Sequence, residues 1–173
     1  MADANLLITY EPAHAGKAEE EAKALLKSVG DAEFLKSDTD GIFLVHTKKN
    51  PKEMVKKLLH ECTTTPSKFR YTFHWVPIDK WCPSDIDAME KVMQEFDKKM
   101  DPSKSWKLDI EKRSYDKHKT IDLIVKLTDH IDKPNVDLKN PEQIIKVEII
   151  GKRAGLSLLE ADELLNVPKF KTE

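Results

Sequence analysis

The apolar positions of the chain change period several times, and each change marks an element. Residues 5–10, "NLLITY", form a short apolar run of strand length. From about 16 to 29 the spacing becomes helical, with Ala18, Ala22, Leu25 and Leu26 on one face. Gly30 stands where a left-handed cap would end that helix. "AEFLKS" and "GIFLVHT" read as two strands joined through Asp38-Thr39-Asp40-Gly41, whose glycine suits a tight hairpin. Asn50-Pro51 predicts the next helix start, since asparagine caps and proline fits the first turn. Val55, Leu58, Leu59 and Cys62 then recur on one helical face. Residues 69–76, "FRYTFHWV", alternate: Phe69, Tyr71, Phe73 and Trp75 share one side, Arg70, Thr72 and His74 the other. The order over residues 5–77 is βαββαβ, which is the ferredoxin-like pattern of an antiparallel sheet with two helices on one side.

Pro77 to Pro83 reads as a linker, which divides the chain into 1–78 and 79–173. Ser84 or Asp85 is placed to cap a helix reaching Met100, with Ile86, Met89, Met93, Phe96 and Met100 as its core stripe. "SWKLDIEKR" alternates as a strand with Trp106, Leu108 and Ile110 inward. A helix over about 118–131 is expected to turn Ile121, Ile124, Val125 and Thr128 inward. "VDLKNPEQIIKVEIIGKRAGLSLL" follows, residues 136–159. It turns at Asn140-Pro141, alternates through Ile145, Val147 and Ile149, and turns back between Gly151 and Gly155 with Lys152 and Arg153 at the tip. The second half is thus α-β-α-β-β, and the fold class is α+β.

Composition narrows the function classes. Apolar residues make up 39% and charged residues 35%, with the apolar ones periodic, so a folded, heavily charged domain is expected. The formal net charge of −2 gives no global preference for nucleic acid, and partners must be sought in local clusters. The two cysteines, Cys62 and Cys82, have no CxxC spacing, and the six histidines have none of the HxxxH kind. No metal, cofactor or catalytic residue is assigned on this basis. No stretch approaches the roughly 20 apolar residues that cross a membrane, and a reducing cytoplasmic location is expected.

The residues "SWKLDIEKR", "KHKTIDLIVKLTDHI" and "VDLKNPEQIIKVEIIGKRAGLSLL" together resemble the THUMP domain of RNA-modifying proteins, with "VDLKNP" before "VEIIG" the most specific part. THUMP domains typically follow a ferredoxin-like domain, which matches the independent reading of the first half. The resemblance covers about residues 5–160, by motif in the second half and by pattern in the first. It implies 1–78 as the ferredoxin-like domain and 79–173 as the THUMP domain. With no catalytic domain expected after it, the chain resembles the stand-alone branch. That resemblance implies a tRNA-binding adaptor, not itself an enzyme, that presents tRNA, by its acceptor end, to a separate tRNA cytidine acetyltransferase for N4-acetylcytidine formation. Two other readings stay open: a small RNA-modifying enzyme with an unrecognised site, and a protein-interaction module. The oligomeric state is left open as well.

Phosphate is met by lysine and arginine, so the candidate RNA-binding residues are the cations of this half. In "KRSYDKHK" they are Lys112, Arg113, Lys117, His118 and Lys119, at the entrance to a helix whose backbone donors would add to their charge. Lys139 lies beside the Asn140-Pro141 turn, and Lys152 and Arg153 at the hairpin tip. Each has a bland alternative as ordinary solvated charge. The run Lys48, Lys49, Lys52, Lys56 and Lys57 reads foremost as a solvated helix face.

Overall fold

A computed structural model describes residues 3–171. The chain divides into two units. One holds the described residues up to Ile78 together with those from Asp162 onward, and the other is Asp79–Ala161.

The first unit runs β1 (Leu6–Tyr10), α1 (Ala15–Val29), β2 (Ala32–Leu35), β3 (Ile42–Thr47), α2 (Pro51–Thr64) and β4 (Thr72–Pro77). Its four strands lie in the order β2-β3-β1-β4, all antiparallel, which is the ferredoxin-like arrangement. Leu6, Ile8, Val45 and Trp75 from the sheet pack with Ala22, Leu25 and Leu26 of α1 and with Met54, Val55, Leu58 and Cys62 of α2. Asn50 caps α2 as its sequence predicts, its side chain accepting from the Lys52 N–H at 2.9 Å. Gly41 turns the β2–β3 hairpin in a left-handed conformation, φ 84°. Gly30 ends α1 in extended backbone (φ 159°, ψ 178°), so the expected left-handed cap is not formed.

The expected alternation through Phe69 and Tyr71 is broken for a reason lying in α1. Glu21 accepts from the backbone N–H groups of Arg70 (2.6 Å), Tyr71 (3.1 Å) and Thr72 (2.9 Å), and from the Thr72 hydroxyl (2.8 Å). The N–H groups of Arg70 and Tyr71, held by this carboxylate, are thereby drawn out of the sheet just ahead of the strand. β4 therefore begins only at Thr72. Phe69 is fully buried, whereas Tyr71 and Phe73 are only half-buried.

The second unit runs β5 (Lys80–Pro83), α3 (Ile86–Lys99), β6 (Trp106–Arg113), α4 (Thr120–Thr128), β7 (Gln143–Ile150) and β8 (Arg153–Glu160), with the strands ordered β5-β8-β7-β6. The supposed linker is thus an edge strand in part, pairing with β8 from Lys80↔Leu156 to Pro83↔Arg153. β6 and β7 are parallel and in register over eight residues, Trp106↔Gln143 to Arg113↔Ile150. Trp106, Leu108 and Ile110 share one face with Ile145, Val147 and Ile149, and pack against Met89, Met93 and Phe96 of α3 and Leu123 and Leu127 of α4. The inward face expected for α4 is rotated. Leu123 and Leu127 are buried and Ile124 half-buried, while Ile121 and Val125 are 63% and 56% exposed. The helix is apolar on more than one side, so periodicity alone admitted both choices.

The final residues return to the first unit, where the sequence division had placed them with the second. β9 (Leu165–Asn166) pairs with Trp75 and His74 of β4 as a fifth strand, α5 (Val167–Lys171) follows, and Leu165 and Val167 are buried in the first core.

Cys62 has no exposed surface, whereas Cys82 is half-exposed, and burial pushes both thiols above their ordinary value. A thiolate-directed probe near neutral pH should label Cys82 slowly and Cys62 only after denaturation. Mass spectrometry of labelled peptides reads the outcome, and native labelling of Cys62 at the Cys82 rate would refute this packing.

Candidate nucleic-acid interface

The parallel pairing of β6 with β7 sets where the candidate cations lie. Gly151 follows β7 in the left-handed conformation (φ 58°) and donates its N–H to the Arg113 carbonyl at 2.8 Å. Ser114 follows β6 at φ 55°, a conformation that side-chain-bearing residues rarely adopt. The Ser84 N–H donates to the Lys152 carbonyl (2.9 Å), and the Ser84 hydroxyl to the Gly151 carbonyl (2.8 Å). One end of the sheet thereby gathers three segments: the start of α3, the 114–119 loop before α4, and the turn at Gly151-Lys152. Lys112, Arg113, Lys117, His118, Lys119, Lys152 and Arg153 all belong to this end. Lys139 does not. The Asp137 N–H donates to the Trp106 carbonyl at the opposite end of the eight-residue β6, more than about 20 Å away at ~3.3 Å per residue. There the Asp137 carboxylate accepts from the N–H groups of Lys139 and Asn140, both at 3.0 Å, and makes the predicted turn.

The gathered cations differ in what they are free to do. Lys112 donates to the His118 carbonyl at 3.0 Å and so ties the loop to the strand. Arg113 pairs with Glu148 at 2.8 Å, and Glu148 is 1% exposed. Lys146 on the same strand reaches Glu148 at 3.4 Å and Asp109 at 3.0 Å. These side chains form an ionic row on the sheet face away from α3 and α4. Burial pulls the Lys146 ammonium down, but Glu148 and Asp109 outweigh it and hold it above the ordinary lysine value. Arg113 is therefore the counterion of a buried carboxylate, a structural role that its sequence setting did not announce. Arg153 begins β8 rather than sitting at the tip, and its guanidinium lies over the Trp81 ring, 4.6 Å from the centroid.

Lys117, Lys119 and Lys152 are exposed and make no ion pair among the described residues, and the same holds for Lys126 of α4. Elsewhere in this unit Lys80 is neutralised by Glu95, Lys104 by Glu160 and Lys133 by Asp97, while Lys91, Lys98, Lys99, Lys107 and Lys139 make no ion pair among the described residues either. Four lysines without ion pairs among the described residues thus meet around the loop and the turn. In the first unit Lys56 is paired with Glu53 (3.4 Å) and Glu163 (3.9 Å), as suits a solvated helix face.

A cleft of about 430 Å³ opens beside the loop. Asp85 and Asp87 from the start of α3, Tyr115, Lys117 and His118 of the loop, and Lys126 of α4 line it. The Asp85 carboxylate caps α3 by accepting from the Ala88 N–H at 2.9 Å. Tyr115 Oη is a buried side-chain polar atom with no partner, alone in this among the described residues. Burial, with Asp85 nearby, pushes the Tyr115 phenol up. Lys126, Asp87 and Tyr115 escaped selection from sequence. The seven-residue step from Lys119 to Lys126, two helical turns, was the signal that could have found Lys126.

Residues 83–159, which span this site, match the family model of the THUMP domain. The match covers most of the second unit and ties that unit to the THUMP domain. No curated protein matches the chain by sequence. Solved structures do match by fold. PH1313 from Pyrococcus horikoshii Ot3 has a TM-score of 0.62 at 14% identity, covering 92% of this chain and 55% of that one. TrmN from Thermus thermophilus has a TM-score of 0.60 at 13% identity, covering 88% and 44%. A possible methylase from Clostridium difficile 630 has a TM-score of 0.60 at 11% identity, covering 91% and 41%. At these identities the likeness is one of fold. The chain spans about half the length of these relatives.

Arg113 and Lys117, four residues apart, should separate sharply in stability. Removing one partner of a buried pair costs about 3–5 kcal/mol, and Arg113→Ala should fall at the lower end because Lys146 still serves Glu148. Lys117→Ala should change stability by no more than about 0.5 kcal/mol, as exposed substitutions do. Denaturant unfolding of the two variants measures the difference, and equal values would dissolve the distinction.

Proposed function

We propose that this chain binds tRNA through the free-lysine end of its THUMP unit and presents it to a separate acetyltransferase that forms N4-acetylcytidine. The observation that carries the RNA part is the gathering of Lys117, Lys119, Lys126 and Lys152, all without ion pairs among the described residues, around one loop and one turn of a domain matched to the THUMP family. Phosphate contacts supply most of the affinity for RNA, and ammonium groups already neutralised by carboxylates contribute little to it. A helix with a single-stranded end, such as the tRNA acceptor arm, suits this surface twice over. Its backbone offers phosphates to the lysines, and its unstacked end offers base edges to the cleft. In this reading the chain orients the substrate and the partner enzyme supplies the chemistry. One structural relative, the possible methylase, carries the same two-unit fold within a longer chain, which supports a link between this fold and modification chemistry.

Binding of bulk tRNA should weaken steeply with salt. Four neutralised phosphates at ~0.7–0.9 each give a log–log slope of about −3. Lys117→Glu with Lys119→Glu should leave the melting temperature nearly unchanged and abolish binding at moderate salt. In a reconstituted reaction the wild-type chain should stimulate the acetyltransferase and acetylate nothing alone. Salt-independent binding would sink the RNA reading. Tight binding without stimulation would sink the adaptor role, and acetyl transfer by the chain alone would make it an enzyme.

A further inference from the structure

β5 and β6 are the two edge strands of the second sheet, and they differ in how readily they could pair further. β5 has four residues and ends in Pro83, a form that resists pairing. β6 has eight residues, no proline and an unbroken register against β7. Backbone groups along a strand point to alternate sides, and two contacts fix which point outward here. The Arg113 carbonyl accepts from the Gly151 N–H at 2.8 Å on the β7 side. On the opposite side the Trp106 N–H donates to the Asn135 carbonyl (2.8 Å), and the Trp106 carbonyl accepts from the Asp137 N–H (3.0 Å). Leu108, Ile110 and Lys112 share the parity of Trp106, so their N–H and C=O groups face away from β7. These backbone groups have no hydrogen-bond partner among the described residues, because the chain beside Trp106 turns off between Asp137 and Asn140. Leu108 is 9% and Ile110 8% exposed, where Ile145, Val147 and Ile149 of β7 are fully buried.

The complement of such a row of alternating donors and acceptors is another extended backbone. The side chains around it agree. Ile121, Val125, Val136 and Leu138, the exposed large apolar side chains among the described residues, all belong to the crossover that leaves and rejoins this edge. α3 packs over β5 and β8 and α4 over β6, so the flank of α4 away from α3 is the one toward the open edge. Lys126 lines the cleft with residues 84–87 at the start of α3, and Ile121 stands about 140° around the helix from it, on that outer flank. On the sheet face away from the helices, Lys107 and Glu111 make no ion pair or hydrogen bond among the described residues, while Asp109 between them is held by Lys146. We propose that the open edge of β6 receives an extended segment of a partner polypeptide as a fifth strand. That segment is apolar on the α4 side, acidic opposite Lys107 and basic opposite Glu111, since opposite charges directly across two strands attract.

The edge assignment stands apart from the RNA reading, and tRNA binding is measured beside it. In the free full chain, labelled with nitrogen-15, the amides of Leu108 and Ile110 should exchange with deuterium at least about tenfold faster than those of Lys107, Asp109 and Glu111, which point to β7. The capped peptide Val-Lys-Val-Thr-Val-Glu is the antiparallel complement of residues 107–112. At millimolar concentration it should shift the Leu108, Ile110 and Lys112 amides and slow their exchange. N-methylation of its second valine, whose N–H would face β6, should weaken binding about tenfold, whereas N-methylation of its threonine, whose N–H would point away, should not. Glu111→Lys should weaken the parent peptide about threefold, and a peptide with Glu in place of its Lys should recover the loss. Slow exchange at Leu108 and Ile110, equal loss from the two N-methylated peptides, or shifts confined to other residues overturn the assignment. Self-association of the free chain through these amides also overturns it, since the occupant would then be a second copy. tRNA binding can survive each of those results, and its own absence would leave the strand site standing.

Discussion

Two parallel strands cannot be joined by a tight turn. The connection must leave one end of the pair and re-enter at the other, which takes a dozen residues or more. In the second unit this constraint falls on β6 and β7, paired in register over eight residues, and the crossover contains α4. Much of the site's geometry follows. The crossover leaves at Ser114, so Lys117, His118 and Lys119 lie at the C-terminal ends of the two strands. It returns through Asp137 and Asn140, so Lys139 is carried to the N-terminal ends. In open sheets with parallel strands, ligands sit outside the carboxyl ends, where loops diverge. The lysine-rich cleft occupies that position, and the β7–β8 hairpin adds Lys152 to it because its turn begins where β7 ends.

The ionic row along β6 and β7 holds that end in place. Glu148 is buried to 1% exposure between Arg113 and Lys146, and Lys146 is itself held by Asp109. A buried carboxylate is tolerable only while its counterions remain, so the end of β6 is fixed at its last residue, immediately before the chain turns at Ser114. The site therefore combines a rigid base, made by a neutralised cation, with a loop of free ones. Arg113 and Lys117 look equivalent in "KRSYDKHK" because sequence records charge but not pairing. The difference lay in the strand register, Asp109↔Lys146 and Glu111↔Glu148, which places opposite and like charges side by side across 37 residues of sequence. Without that register, Glu148 was one more acidic residue in an alternating strand.

The same distinction explains which parts of the fold could be read in advance. The ferredoxin-like order of the first unit, the α3 core stripe and the inward faces of β6 and β7 rest on periodicity that nothing contradicts. The misreadings occur where a distant residue overrides the local pattern. Glu21 of α1 takes the N–H groups of residues 70–72 and delays β4. Leu165 and Val167 find their place on a strand some 90 positions earlier, which no local signal at the C-terminus announces. α4 failed differently, since its apolar residues cover more than one face and only packing against α3 and β6 selects Leu123 and Leu127.

That selection leaves Ile121 and Val125 exposed on the helix that also contributes Lys126 to the cleft. Lys119 and Lys126 stand two turns apart along α4, so rotating the helix would move the cation and the apolar pair together. The packing of Leu123 and Leu127 thus fixes at once which side chains of α4 are hidden and which charge reaches the cleft. The net charge of −2 hides all of this. What governs attraction for an anion is the charge left unpaired at one place, and here the fold neutralises cations in the ionic row and across the helices while leaving those of the 114–119 loop, the Gly151-Lys152 turn and the outer side of α4 in solvent.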